Sequence, residues 1–308
     1  MTKEISTAAI IGLGALGTMY AERLSRAMKK DSFFVIATKD RIARIKREGV
    51  YVNGHPLDLT FRTPEEKQPV DLILFATKNH DLPIAIKDAA PFVGPDTLII
   101  SVLNGISSEE QLIDAFGADR VLYCVVWGMS AVKLGNNLEC PDIGTIAVGE
   151  TGSPLSPRLF ELADFLTKAG LTVNTPPDIR LLQWSKLMLN AGINQVTAAY
   201  DCTYAQVQVE GEPRRVMLAA MREVLTLANL ERIPLTKDDI EKWMAVVDSL
   251  EPSGFTSMRQ DLLAGRKTEL ELFAGTVIKL GQKHKIETPV NSFLHARITE
   301  LERKNSVK

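Results

Sequence analysis

Lys186, Asn190 and Asn194 stand four residues apart, with Leu187, Met188, Leu189 and Ile193 between them. On an α-helix each step of four turns only roughly 40° about the axis, so the three polar side chains share one stripe. A lysine in such a place can donate a proton or stabilise developing charge on an oxygen. The two amides can donate to or accept from a hydroxyl or a carboxylate without adding charge. From spacing alone two readings stand: an ordinary solvated helix face, or a buried face whose hydrogen-bond partners come from a bound polar molecule.

A second set lies near the N-terminus. Gly12-Leu13-Gly14-Ala15-Leu16-Gly17 follows an apolar run and opens an amphipathic one. This is the G-x-G-x-x-G pattern of a dinucleotide-binding turn. The first glycine allows the tight turn, the second lets the backbone approach a pyrophosphate, and the third lets helix and strand pack closely. The free amides at the helix start face the anion. Cofactor choice falls to the end of the next strand, Ala37-Thr38-Lys39-Asp40-Arg41. Thr38 and Lys39 suit the 2′-phosphate of NADP, Arg41 adds charge, and Asp40 is the competing signal. Lys39 and Arg41 also read as solvated helix-start residues.

A third set is Phe255-Thr256-Ser257-Met258-Arg259-Gln260-Asp261, followed by Gly265-Arg266-Lys267-Thr268-Glu269. Ser257 and Asp261 are one helical turn apart. Glu269 stands at the start of a helix expected over 269–284, where negative charge is favourable. On its own it reads as a helix-start carboxylate.

The elements that must hold these sets divide the chain in two. Strands are expected over 8–13, 33–37, 72–76 and 98–103, with helices over 16–28, 42–48 and 82–90 between them. Strand and helix in alternation argue for a doubly wound parallel sheet. Strand character continues over 121–126 and 143–148, punctuated by a turn at Gly135, Asn136 and Asn137, and a helix over 157–170 leads into 171–174. After Pro176-Pro177 strand-like runs nearly vanish, and 181–200, 214–229, 237–250 and 269–284 all read as helices. The expected organisation is an α/β domain over 1–177 and an all-helical domain over 178–308.

Composition narrows the function classes. The 308 residues are 45% hydrophobic and 24% charged, which is ordinary for a folded globular chain. A net charge of −2 gives no long-range attraction to nucleic acid or an acidic membrane. No apolar run reaches ~18 residues, so no membrane helix is expected. Lys3 and Glu4 precede an apolar strand rather than a secretory signal, and a cytoplasmic location follows by default. Three cysteines without a Cys-x-x-Cys pair read as free thiols in a reducing compartment. His55, His80, His284 and His295 lack ligand spacing, so no metal is expected. A homodimer is compatible with the sequence.

Taken together, the glycine turn, Thr77-Lys78, Asn104-Gly105, the Lys186/Asn190/Asn194 stripe and the Ser257-Met258…Asp261…Gly265-Arg266…Thr268-Glu269 segment resemble the ketopantoate reductase family, also called 2-dehydropantoate 2-reductase. Order and approximate spacing match from Ala8 to about Asn291. The resemblance implies a Rossmann domain followed by a helical domain like that of 6-phosphogluconate dehydrogenase, with the active site in the cleft between them. It implies NADPH-dependent reduction of ketopantoate to D-pantoate, a step toward pantothenate and coenzyme A. By position it makes Lys186 the proton donor, and Asn190, Asn194 and Ser257 substrate residues. Lys78 and Asn104 lie beside the cofactor, Asn104 also toward the substrate. Glu269 orders the closed site, and Ala131 approaches the cofactor through its backbone.

Two places depart from the family. Many relatives carry an arginine where Thr38 stands. Gln195 and Tyr204 occupy positions where the family shows proline and a further asparagine. Reduction of another 2-oxo acid or ketone is therefore the alternative substrate reading. A catalytically silent dinucleotide-binding sensor is the alternative from another class, and the lysine, amide and carboxylate set argues against it.

Overall fold

The continuous apolar runs of the first half form strands buried on both faces. The computed structural model describes residues 4–152 and 156–305, and by its contacts the chain divides into two compact units, 1–179 and 180–308. In the first unit, β1 (Ala8–Ile11) enters α1 (Ala15–Ala27), followed by β2 (Phe33–Ile36) and α2 (Lys39–Glu48). Short strands β3 (Tyr51–Val52), β4 (His55–Pro56) and β5 (Phe61–Arg62) precede β6 (Val70–Phe75). Then come α3 (Leu82–Ala89), β7 (Val93–Ser101) and α4 (Ser108–Phe116). One sheet runs in the order β5-β2-β1-β6-β7, with every pairing parallel.

Alternate residues of these strands feed two cores. Ala8, Ile10, Phe33, Val35, Leu72 and Leu74 face one way, against Tyr20 and Leu24 of α1. Ala9, Ile11, Phe34, Ile36, Ile73 and Phe75 face the other, against Leu82, Ala85 and Ala89 of α3 and Leu112 of α4. A sheet covered on both faces needs apolar residues at every position rather than at alternate ones.

A second sheet follows. Strands β8 (Tyr123–Leu134) and β9 (Asn137–Gly149) form an antiparallel hairpin that extends well past the apolar runs at 121–126 and 143–148. Its outer half alternates exposed and half-buried residues, so sequence patterning marks only the inner half. β3 and β10 (Thr172–Asn174) pair in parallel with β9, and α5 (Pro157–Lys168) packs Leu159, Leu162 and Leu166 into the first core.

The second unit is all-helical. It comprises α6 (Ile179–Ala199), α7 (Tyr204–Gln208), α8 (Glu212–Leu230) and α9 (Lys237–Asp248), then α10 (Ser257–Leu263), α11 (Ala274–His284) and α12 (Pro289–Asn305). The helix expected over 269–284 is interrupted. Leu270–Leu272 is a 3-10 turn, and Phe273, at φ −106° and ψ −89°, leaves the helical region before α11 begins. The break has a hydrogen-bonding cause: the Ala274 amide donates to Gln195 Oε1 at 3.1 Å instead of to a carbonyl one turn back. Among the described residues no helix is long and apolar enough to cross a membrane. All three cysteines are free and buried.

Candidate active site

In the first unit the expected residues line up along one edge of the parallel sheet, at the carboxyl ends of neighbouring strands. Thr38 and Lys39 follow β2, the glycine turn follows β1, Lys78 follows β6, and Asn104 follows β7. Ligands of open α/β sheets bind at this edge. The turn is fixed by its own packing. Gly12 has φ +100°, and a Cβ there would lie 2.6 Å from the Ala76 carbonyl oxygen. A Cβ on Gly17 would lie 2.0 Å from the Gly12 carbonyl oxygen. No side chain fits at either place. Gly14 is different, because a Cβ there would meet only Ala76 O, at 3.9 Å. The fold tolerates a side chain at 14, so the space beside it is open to a ligand.

The electrostatics agree. Helix α1 begins with Gly14 as its N-cap, has no side-chain cap, and carries no acidic residue in its first turn. Its first amides and the positive end of its dipole are available to an anion. Nearby, Thr77 Oγ1 and Asn79 Oδ1 are buried without a hydrogen-bond partner. Two orphaned polar atoms flanking Lys78, beside an uncapped glycine turn, fit a polar ligand such as a dinucleotide. Thr38 and Lys39 are exposed, and Lys39 Nζ lies 4.0 Å from Glu65. Asn104 is half-buried in a loop that Ser101 helps to close: its hydroxyl accepts from Leu103 N at 3.3 Å and donates to Ser108 Oγ at 2.9 Å. Ala131 sits on β8 against the first core.

The second unit assembles its set around α6. Lys186 is half-buried, and Asn190 and Asn194 are 7% and 9% exposed. Among the described residues the side-chain amides of Asn190 and Asn194 have no hydrogen-bond partner. The opposite face of the helix is tied to the rest of the unit through Gln195. Gln195, roughly 180° around from Lys186, donates to Ala191 O at 2.6 Å and to Asn291 Oδ1 at 2.9 Å. Asn291 in turn donates to Glu223 Oε2 at 2.7 Å. Ser185 Oγ accepts from Trp243 Nε1 at 2.8 Å. These bonds fix the rotation of α6 about its axis and thereby where the polar stripe points.

The end of the stripe meets the segment that carries Ser257. Thr197, on the same face as Lys186, shares a 2.7 Å hydroxyl contact with Thr256. Ser257 is the exposed first residue of α10. Glu269 is half-buried and precedes the 3-10 turn rather than a long helix. Its neighbour Thr268 is tied to α12, donating through both its amide and its hydroxyl to Glu302 Oε1, at 2.8 and 2.6 Å.

Sequence reasoning missed three residues that shape these sites. Gln195 is a framework residue on the far side of α6, so its place in the sequence after Asn194 says nothing about substrate. Thr197 extends the i, i+4 stripe by a further step of three, a spacing that was available to find it. Lys133 donates to the glycine turn itself, bonding Leu13 O at 2.6 Å and Thr18 Oγ1 at 2.8 Å.

Comparison with known proteins gives a consistent picture. The family model described as "Ketopantoate reductase PanE/ApbA" matches residues 8–152, and "Ketopantoate reductase PanE/ApbA C terminal" matches 178–302. A 2-dehydropantoate 2-reductase of Aquifex aeolicus is 24% identical over 292 residues, covering 92% of this chain and 93% of its own. Among solved structures, D-mandelate dehydrogenase with NADH and anilino(oxo)acetate superposes with a TM-score of 0.87 at 22% identity, covering 97% of this chain and 99% of its own. The PanE/ApbA family ketopantoate reductase from Ralstonia eutropha JMP134 gives 0.83 at 24% identity, with the same coverage.

Proposed function

This chain belongs to the ketopantoate reductase family of oxidoreductases, and from that premise we propose that it reduces ketopantoate to D-pantoate with NADPH. NADPH would supply the hydride, which the carbonyl carbon of the substrate accepts. Everything else falls to the chain's own groups. Lys186 donates a hydrogen bond to the carbonyl oxygen, where negative charge develops, and then the proton, so charge stabilisation and proton delivery come from one group. Asn190, Asn194 and Ser257 hold the substrate hydroxyl and carboxylate with neutral groups. Gly12 to Gly17 hold the pyrophosphate, with Lys78, Asn104 and the Ala131 backbone beside the dinucleotide. Thr38 and Lys39 receive the 2′-phosphate. Glu269 orders the loaded site.

The observation that carries this reading is the polar stripe of α6: the half-buried Lys186 in line with two nearly buried amides, Asn190 and Asn194, which have no hydrogen-bond partner among the described residues. Amides that are not used up by the protein can donate to or accept from a bound polar ligand.

A second reading, reduction of another 2-oxo acid, draws on Tyr204. This residue replaces the family's further asparagine and packs its ring beside Gly254, where a Cβ would lie 2.9 Å from the ring. An aromatic ring in place of an amide removes an amide contact and favours a less polar substrate. A substrate panel decides. Ketopantoate and an aryl 2-oxo acid, each with NADPH and NADH, are compared by kcat/KM. Ketopantoate with NADPH should lead. Preference for the aryl acid contradicts the substrate assignment, and preference for NADH contradicts the cofactor assignment.

A further inference from the structure

The β8–β9 hairpin brings a cation to the glycine turn that the proposed function does not use. Lys133 is half-buried, and its Nζ spends two of its three N–H groups on the turn: one on the Leu13 carbonyl and one on Thr18 Oγ1 of α1. Among the described residues, neither Lys133 nor Arg41 of α2 is paired with a carboxylate. The charged neighbours on the packed elements are engaged elsewhere or turned away. Glu22 of α1 pairs with Arg23 and Arg26, Glu139 of β9 is exposed opposite Val132, and Asp142 is exposed opposite Ser130.

Burial first, and the positive charge of Arg41 second, lower the Lys133 ammonium from its ordinary value to about 8. Two like charges, one of them partly desolvated, stand beside a turn with no acidic residue in the first turn of the helix it opens. Left alone, this arrangement opposes the charged form of Lys133. A phosphate group relieves it.

We infer that Lys133 is a dinucleotide-phosphate residue, holding the glycine turn through the Leu13 carbonyl and supplying its remaining N–H and its charge to the bound pyrophosphate. This inference rests on the dinucleotide reading of the turn. It makes the hairpin, rather than the Rossmann strands alone, part of the cofactor site. Met129 and Ala131 of the same strand pack on the core beneath it, which anchors the hairpin where Lys133 leaves it.

The test is the dissociation constant of NADPH, read from nicotinamide fluorescence without substrate. Lys133→Met should weaken NADPH binding by about tenfold or more, the loss of one charge-assisted contact, while thermal unfolding stays cooperative. Lys133→Arg, which keeps the charge, should recover most of the affinity. Unchanged affinity in a folded Lys133→Met protein overturns the inference and leaves Lys133 a structural tie. Should that variant not fold, wild-type calorimetry decides. At pH 8, in two buffers of different ionisation heat, NADPH binding should take up as much as about half a proton, because the phosphate restores the ammonium. No uptake overturns the inference. A wild-type protein that binds neither NADPH nor NADH overturns the functional reading itself, and this inference with it.

Discussion

The glycine turn of the first unit and the polar stripe of the second are built on opposite principles. At the turn, the chain's own contacts dictate the residues: Gly12 and Gly17 are glycine because backbone oxygens lie where a Cβ would go. At the stripe, the framework residue Gln195 faces away from Lys186, and the amides in line with Lys186, Asn190 and Asn194, have no hydrogen-bond partner among the described residues. One site is shaped from inside the fold, and the other is completed from outside it. The lesson is that packing and function can be separated residue by residue, even within one turn or one helix.

Substitutions can break this separation, and the largest effect should come from Lys186. Lys186→Ala should lower turnover by roughly 10²–10⁴-fold, the usual range for a positioned acid, with the dinucleotide dissociation constant and the unfolding midpoint unchanged. Steady-state kinetics beside a binding titration reads both.

Next come the two glycines. Gly17→Ala drives a methyl group into backbone and should cost more than the ~1–3 kcal/mol of ordinary overpacking, seen as a collapse of the denaturant midpoint. Gly14→Ala should leave stability within about 1 kcal/mol of wild type yet weaken dinucleotide binding about tenfold or more. Equal stability losses in the two variants would erase the distinction.

The helix offers the matching pair. Gln195→Leu strands the Ala274 amide and Asn291 without their partner and should cost about 1–3 kcal/mol with the substrate KM unchanged. Asn190→Ala should raise that KM about tenfold at nearly constant stability.

The smallest effect is a pH dependence. Lys133 titrates at about 8 in the folded protein, against an ordinary 10.5. Between those values the unfolded chain binds the extra proton, so this residue makes stability rise with pH across that window and contributes no slope below it. Dinucleotide affinity should move the opposite way, falling as the ammonium is lost. Unfolding and binding measured at pH 7 and pH 9 should show both trends, and Lys133→Met should remove both.

Much of the first unit was legible because burial on both sheet faces leaves an unbroken apolar signal in β1 and β2 and over 72–75 of β6 and 98–100 of β7. The glycine pattern was legible because its constraint is local. The outer hairpin was not, since half-exposed strand residues such as Met129 to Leu134 carry little hydrophobic contrast. Lys133 carries no signal of its own in the sequence, although Met129, Ala131 and Lys133 stand at the alternate positions of a strand. The 269–284 segment kept helical periodicity through a real break, because the bond that ends the 3-10 turn comes from Gln195, 79 residues away in sequence. Helix α12 was hidden by Asn291, a fully buried polar residue that its partners Gln195 and Glu223 satisfy.

Hydride transfer from a nicotinamide to a 2-oxo acid is tested most directly by following the isotope. Wild-type protein is incubated with ketopantoate and NADPH deuterated at both C4 positions of the nicotinamide, and the product is weighed by mass spectrometry. D-pantoate should carry one deuterium at the former carbonyl carbon. Bound NADPH with no deuterated hydroxy acid would contradict that transfer.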